Sequence, residues 1–80
     1  MKAIVTVRLK PGVLDPQGVT ISNALRSMGY EGVLDVRAGK VFELTLDNGD
    51  PQAARKKAEE IADRLLANPV IETYSVEVRP

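Results

Sequence analysis

The chain has 80 residues, which is enough for one domain with a small core. Its eleven basic and eleven acidic side chains cancel, so no overall positive field favours nucleic acid or an anionic membrane as a partner. Cysteine and histidine are both absent, which excludes a disulfide framework, a thiolate nucleophile, and the commonest general base and metal ligand. The first residues lack the apolar core of a signal peptide. No run approaches the roughly 20 apolar residues that a membrane-spanning helix needs. We therefore expect one cytoplasmic domain over 1–80.

The first predicted elements are a strand and a helix joined by the sequence KPGVLDPQG. Apolar residues occupy the odd positions from Ala3 to Leu9, an alternation typical of a half-buried strand. Pro11-Gly12 ends this strand, because proline has no N–H for the ladder and glycine accepts a turn. Asp15 suits a helix N-cap and Pro16 the first helical position, while Gly29 suits the left-handed residue that ends the helix. The apolar face of this helix comprises Ile21, Ala24, Leu25 and Met28.

A second strand region runs from Val33 to Asp47, and its even positions hold Leu34, Val36, Ala38, Phe42, Leu44 and Leu46. As one straight strand it would span roughly 50 Å, whereas a compact chain of this size is only about 30 Å across. It must therefore fold back, bend sharply, or extend onto another subunit. We prefer a three-residue hairpin at Ala38-Gly39-Lys40, since this loop keeps the apolar residues on one face. A bent continuous strand stays open.

The second half of the chain predicts a turn, a helix and a last strand. Asn48-Gly49 is a turn signal, and Asp50-Pro51 begins the helix. Asn68-Pro69 ends the helix, and a strand from Val70 to Val78 follows. Asp50-Pro51-Gln52 repeats Asp15-Pro16-Gln17, which indicates either an internal pseudo-repeat or convergent helix capping. The predicted buried stripe of the second helix comprises Ala54, Ala58, Ile61, Ala62 and Leu65.

This order predicts an α+β two-layer sandwich, in which both helices pack on one face of an antiparallel sheet. Ferredoxin-like topology is the first choice, with strand, helix, hairpin or long bent strand, helix and strand in sequence. The uncovered face would be polar with an apolar minority of Ile4, Val33, Val41 and Ile71. Those residues are either ordinary scattered surface hydrophobes or contacts in a homo-oligomer.

Candidate chemical sites are few. Asp35 and Glu43 would face each other across the hairpin, but an acid–base pair needs a pocket, so a solvated pair neutralised by Arg37 and Lys40 is favoured. The charge run Glu59, Glu60 and Asp63 lacks the further ligand of a metal site. Pro11-Gly12 ahead of a helix start could hold a small ligand, so a stand-alone dimeric regulatory domain is an alternative function.

Several segments, in order and at suitable spacing, resemble the PurS family, the small subunits of phosphoribosylformylglycinamidine (FGAM) synthase. They cover nearly the whole chain as a PurS-like domain. The segments are Leu9–Gly18 (LKPGVLDPQG), Leu25 with Met28-Gly29-Tyr30, Val36–Lys40 (VRAGK), Leu65–Glu72 (LLANPVIE) and Tyr74.

The resemblance implies a non-catalytic subunit of an ATP- and glutamine-dependent ligase. Such a chain would bridge a large PurL-like synthetase subunit and a PurQ-like glutaminase subunit, so that ammonia reaches formylglycinamide ribonucleotide. It would form a homodimer or tetramer and bind no cofactor itself, while the complex uses ATP and magnesium. No residue is expected to be catalytic. The interface candidates are Ile4, Arg8, Pro11, Gly12, Asp15, Gln17, Val33, Arg37, Gly39, Lys40, Val41 and Ile71.

Overall fold

The computed structural model describes residues 1–47 and 49–80. The predicted turn at Asn48-Gly49 includes Asn48, which lies outside the described residues. None of the helices in the described part of the chain is long and apolar enough to cross a membrane. The elements are β1 (Lys2–Leu9), α1 (Pro16–Ser27), β2 (Gly39–Thr45), α2 (Pro51–Ile61), a π-helical turn (Ala62–Leu66) and β3 (Glu72–Arg79).

The three strands form an antiparallel sheet in the order β2-β1-β3, so the first strand lies in the centre. Val5 lies opposite Phe42 on one side and Val76 on the other. The odd residues Ala3, Val5 and Val7 are fully buried, as the alternation predicts, because α2 covers this face. The α+β class, with an antiparallel sheet and two helices, is confirmed.

The core beneath α2 is thin because alanines line the helix. Ala54, Ala58 and Ala62 are completely buried, and Val5 and Val7 are the largest side chains that are fully buried. Small side chains let the helix approach the sheet closely, but they bury little apolar area. A stable fold therefore depends on the half-buried Phe42, Leu44, Leu46, Leu66, Tyr74 and Val76, which pack around this centre.

The preferred hairpin at Ala38-Gly39-Lys40 is wrong. β2 begins at Gly39 and passes through Lys40 while paired with β1, with Gly39 opposite Arg8 and Lys40 opposite Val7. Residues 33–38 belong to neither a helix nor a strand. The sheet is consequently one strand short of the six-element ferredoxin-like pattern.

The prediction that both helices pack on one face of the sheet is also wrong, because only α2 does so. Within the described residues, α1 makes no substantial contact with any strand, and only its Gly18 is buried. We call residues 16–38, comprising α1 and the segment after it, the arm. Leu34 in the arm is 96% exposed and Met28 is 70% exposed. The radius of gyration is 16.0 Å, against roughly 12 Å for a compact chain of this length.

The predicted helix ends are confirmed. Asp15 and Asp50 are both N-caps, each followed by a proline at the start of its helix. Gly29 has a φ of 88°, and the N–H of Tyr30 donates to the carbonyl of Leu25 at 3.0 Å. This bond closes a Schellman motif, which satisfies a carbonyl at the end of α1.

The end of α2 departs from the predicted stripe. The N–H of Ala67 donates to the carbonyl of Ala62 at 2.9 Å, a bond that spans five residues and widens the last turn. The wider turn moves the buried position from Leu65 to Leu66. Leu65 is 79% exposed, so its predicted place in the buried stripe is wrong, while Leu66 packs against the core.

β3 starts at Glu72 rather than at Val70. The Asn68 carboxamide oxygen accepts from the N–H of Val70 at 3.0 Å, and the Asn68 carbonyl accepts from Ile71 and Glu72. These bonds form a turn over residues that an alternation pattern alone assigns to the strand.

Candidate protein-interaction site

Three sequence segments meet at one end of the sheet, where β1 ends and β2 begins. The Arg37 guanidinium donates to the carbonyl of Lys10 at 3.3 Å, which joins the segment before β2 to the turn after β1. The Lys10 side-chain ammonium donates to the carbonyl of Pro69 at 2.8 Å, and the Lys10 backbone N–H donates to the carbonyl of Ile71 at the same distance. Lys10 therefore ties the turn after β1 to the segments before β2 and β3.

Pro11 and Gly12 determine the shape of the turn after β1. The N–H of Val13 donates to the carbonyl of Lys10 at 3.1 Å and closes the turn. Gly12 has a φ of 87°, a conformation that glycine adopts without steric cost. Pro11 precedes it and has no N–H that would need an acceptor. Both residues are exposed and line the outside of this end of the sheet.

Asp15 joins the first turn of α1 to the returning end of the arm with both of its carboxylate oxygens. Oδ1 accepts from the N–H of Gly18 at 2.9 Å, and Oδ2 accepts from the N–H of Ala38 at 2.7 Å. The side chain is only 5% exposed. Hydrogen bonds from Gly18 and Ala38 lower the pKa of Asp15, with a further lowering by the charge of Arg37, against a smaller opposing effect of burial.

Gly18 makes this junction possible. The carbonyl oxygen of Val36 lies where a β-carbon on Gly18 would be, and Asp15 Oδ2 would lie 2.9 Å from that carbon. The backbone of the first turn of α1 therefore touches the backbone near Val36, in the returning segment of the arm (residues 36–38) that leads back to β2. A side chain at position 18 would have to move a backbone carbonyl or break the Asp15 bonds.

An open groove runs along the outer side of this end. It has a volume of about 540 Å³ and is lined by Arg8, Leu9, Pro11, Gly12, Asp35, Arg37, Ala38 and Thr73. A neighbouring groove of about 360 Å³ shares Arg8, Arg37 and Ala38, and adds Thr6, Gly39, Lys40 and Val41. On the helix side, a third groove of about 220 Å³ includes Asp15, Gln17, Gly39 and Lys40.

Most of the predicted interface candidates come together at this end, and three do not. The clustered ones are Arg8, Pro11, Gly12, Asp15, Gln17, Arg37, Gly39, Lys40 and Val41. Ile4 lies further along β1, between Glu43 and Glu77 of its neighbours. Val33 lies in the arm, and Ile71 is 38% exposed in the turn before β3.

Sequence reasoning missed two contributors to this site. Neither Gly18, which only ends a segment that resembles PurS, nor the Ala38 N–H carried a predicted role. A glycine at the third helical position was the available signal, because glycine is unfavourable in a helix unless packing requires it.

The candidate acid–base pair does not form. Without a hairpin, Glu43 lies opposite Ile4 and its carboxylate pairs with the Lys2 ammonium at 2.9 Å, while Asp35 lines the first groove. The hydrogen bond from Lys2 and its charge lower the pKa of Glu43. Among residues 1–47 and 49–80, no three His, Cys, Asp or Glu side chains are grouped to hold a metal ion. The grooves present the cations Arg8, Arg37 and Lys40 beside small residues.

Comparison with known proteins gives one consistent family. Residues 2–80 match the family model for PurS, phosphoribosylformylglycinamidine (FGAM) synthase. The FGAM synthase subunit PurS of Bacillus subtilis is 48% identical over 77 residues, which are 96% of this chain and 90% of the relative.

Solved structures agree with the family match. The crystal structure of Methanocaldococcus jannaschii PurS superposes with a TM-score of 0.88 at 37% identity, covering 98% of this chain and 94% of that one. A chain in the structure of PurLQS from Thermotoga maritima superposes with a TM-score of 0.86 at 32% identity, covering 95% and 93% respectively.

Proposed function

The chain belongs to the PurS family of FGAM synthase subunits, and we propose that it serves in purine biosynthesis as the small bridging subunit of that synthase. It holds an ATP-dependent, PurL-like synthetase subunit and a PurQ-like glutaminase subunit together. Ammonia released from glutamine then reaches formylglycinamide ribonucleotide without loss to solvent. The observation that carries the proposal is the match of residues 2–80 to this family, supported by similarity to a chain in a PurLQS structure.

A bridging role without catalysis fits the residues available. The sequence has no cysteine to attack glutamine and no histidine to act as a base. The exposed end of the sheet offers Arg8, Arg37 and Lys40 with a turn beside them, a surface suited to protein contacts. In this proposal ATP and magnesium belong to the synthetase subunit, the chain binds neither, and the complex works in the cytoplasm.

The arm supports self-association as part of the same role. Ile21, Met28 and Leu34 are all exposed, although they lie close together in sequence on one projecting unit. Leaving a large aliphatic side chain in water forgoes about 1.5–3 kcal/mol that burial would contribute. We therefore propose that a second copy covers the arm, giving a homodimer or a tetramer.

Product formation from purified components tests the bridging role. The synthetase and glutaminase are assayed with ATP, magnesium and formylglycinamide ribonucleotide, with and without this chain, using glutamine or an ammonium salt as the nitrogen source. We expect the glutamine-dependent rate to require the chain, because it couples the two active sites. The ammonium-dependent rate should change little, since free ammonia bypasses the coupling. An unchanged glutamine-dependent rate when the chain is omitted would overturn the proposal.

A further inference from the structure

The two outer grooves described above form one trough across the end of the sheet. They share Arg8, Arg37 and Ala38, so a ligand lying in one continues into the other. We call this surface the cationic trough. Its lining comprises Thr6, Arg8, Leu9, Pro11, Gly12, Asp35, Arg37, Ala38, Gly39, Lys40, Val41 and Thr73.

The trough carries an excess of positive charge in a chain that has no net charge. Arg8, Arg37 and Lys40 line it, against the single carboxylate of Asp35. Grouped like charges raise the local potential and attract an anion. Asp15 and Glu72 line the separate groove on the helix side, where the charge of Asp15 also acts on Arg37.

Among the residues that the structure describes, the cations of the trough differ from several others in forming no ion pair. Lys2, Arg64 and Arg79 form ion pairs at 2.9–3.4 Å. Within residues 1–47 and 49–80, neither Arg8 nor Lys40 forms an ion pair or a side-chain hydrogen bond. Arg37 donates through one nitrogen to the Lys10 carbonyl. That bond orients the guanidinium and leaves other N–H donors for a ligand.

The shape of the trough selects the kind of anion. Small molecules are usually held in enclosed pockets that bury most of their surface, whereas this trough is open along its length. Besides the cations, its lining includes the small residues Gly12, Ala38 and Gly39. An extended stretch of polypeptide fits this form, with carboxylates that the arginine guanidinium can bind through two parallel bonds.

We propose that the cationic trough receives an acidic, extended segment of a partner subunit, held by Arg8, Arg37 and Lys40. This inference rests on the proposed bridging function and adds the chemistry of the contact. Charge complementarity at an interface speeds association and selects the partner, and it weakens as salt screens it. The contact should therefore be sensitive both to charge reversal and to ionic strength.

The test compares the affinity of variants for an equimolar mixture of the synthetase and the glutaminase, with glutamine and ADP present, by titration of a fluorescently labelled chain. The test variant is Arg8→Glu with Lys40→Glu. The matched control is Lys56→Glu with Lys57→Glu, which makes the same change in charge on the exposed face of α2. A second variant, Arg8→Lys with Lys40→Arg, keeps the charge. Circular dichroism of each variant checks that the fold is retained.

We expect the charge reversal in the trough to weaken binding about tenfold or more at about 50 mM salt, with a smaller difference at about 500 mM. The control reversal and the charge-preserving variant should stay within about threefold of the unmodified chain. Equal weakening by trough and control reversals, or equal weakening by the charge-preserving variant, would overturn the inference. If the unmodified chain itself fails to bind, the proposed function fails instead.

Discussion

Replacing Gly18 with alanine should destabilise the chain, although the same change usually stabilises a helix. In an ordinary helical position the substitution contributes about 0.5–1 kcal/mol of stability, because glycine is the more flexible residue. Here the added methyl group meets the carbonyl oxygen of Val36 and lies 2.9 Å from Asp15 Oδ2. Overpacking of this kind costs about 1–3 kcal/mol. The net effect should be a loss of about 1–2 kcal/mol.

Urea unfolding followed by circular dichroism measures this change at one fixed protein concentration, because self-association would otherwise alter the apparent stability. Gly49→Ala is the matched control. Its added methyl group meets no atom within 4 Å among the described residues, so we expect no steric loss of stability. Hydrogen exchange should show the loss in Gly18→Ala concentrated in α1 and the neighbouring residues 36–38. Stabilisation of both variants alike would refute the close crossing of α1 and the arm's returning segment.

Three further predictions concern the junction, the π-helical turn and the core. Because its pKa is lowered in the folded chain, Asp15 adds stability that is complete above its ordinary value of 3.8 and is lost as pH falls through the folded value. Asp15→Asn should therefore flatten the acid side of a plot of unfolding free energy against pH, and an unchanged slope would contradict this. Leu66→Ala should cost about 1–2 kcal/mol in urea unfolding and Leu65→Ala less than about 0.5; equal losses would contradict the π-helical turn. Ala58→Leu should lower stability by about 1–3 kcal/mol because the residue is completely buried between α2 and the sheet, and a neutral result in the same assay would contradict that packing.

Local patterns predicted the elements of this fold well. The alternation from Ala3 to Leu9 placed β1 and its buried face, because the period of a strand fixes which side chains face the helix. Asp-Pro at the start of each helix and Gly29 after α1 were read correctly, since caps depend on a few neighbouring residues.

Long-range arrangement was predicted less well. Apolar residues occupy every even position from 34 to 46 except Lys40, although only residues 39–45 pair with β1. The pattern alone therefore could not separate the unpaired residues 33–38 from β2. The hairpin and the packing of α1 were inferred by assuming that one chain covers its own apolar residues. The exposed arm breaks that assumption, since Leu34 and Met28 find no cover within the chain.

The candidate site was predicted in part. The resemblance to PurS grouped the turn after β1 with Arg37, Gly39 and Lys40, and the structure places them around the same grooves. The resemblance did not predict the close packing at Gly18 or the hydrogen bonds that the Asp15 carboxylate accepts from two backbone N–H groups. Those depend on where α1 crosses the returning chain, which no local pattern reports.

The assembly of the three subunits tests the bridging role most directly. Size-exclusion chromatography with light scattering compares mixtures of synthetase and glutaminase, with glutamine and ADP present, with and without this chain. We predict a single species that contains all three proteins when the chain is added, and separate synthetase and glutaminase peaks when it is omitted. Association of the two large subunits to the same extent without the chain would contradict the account.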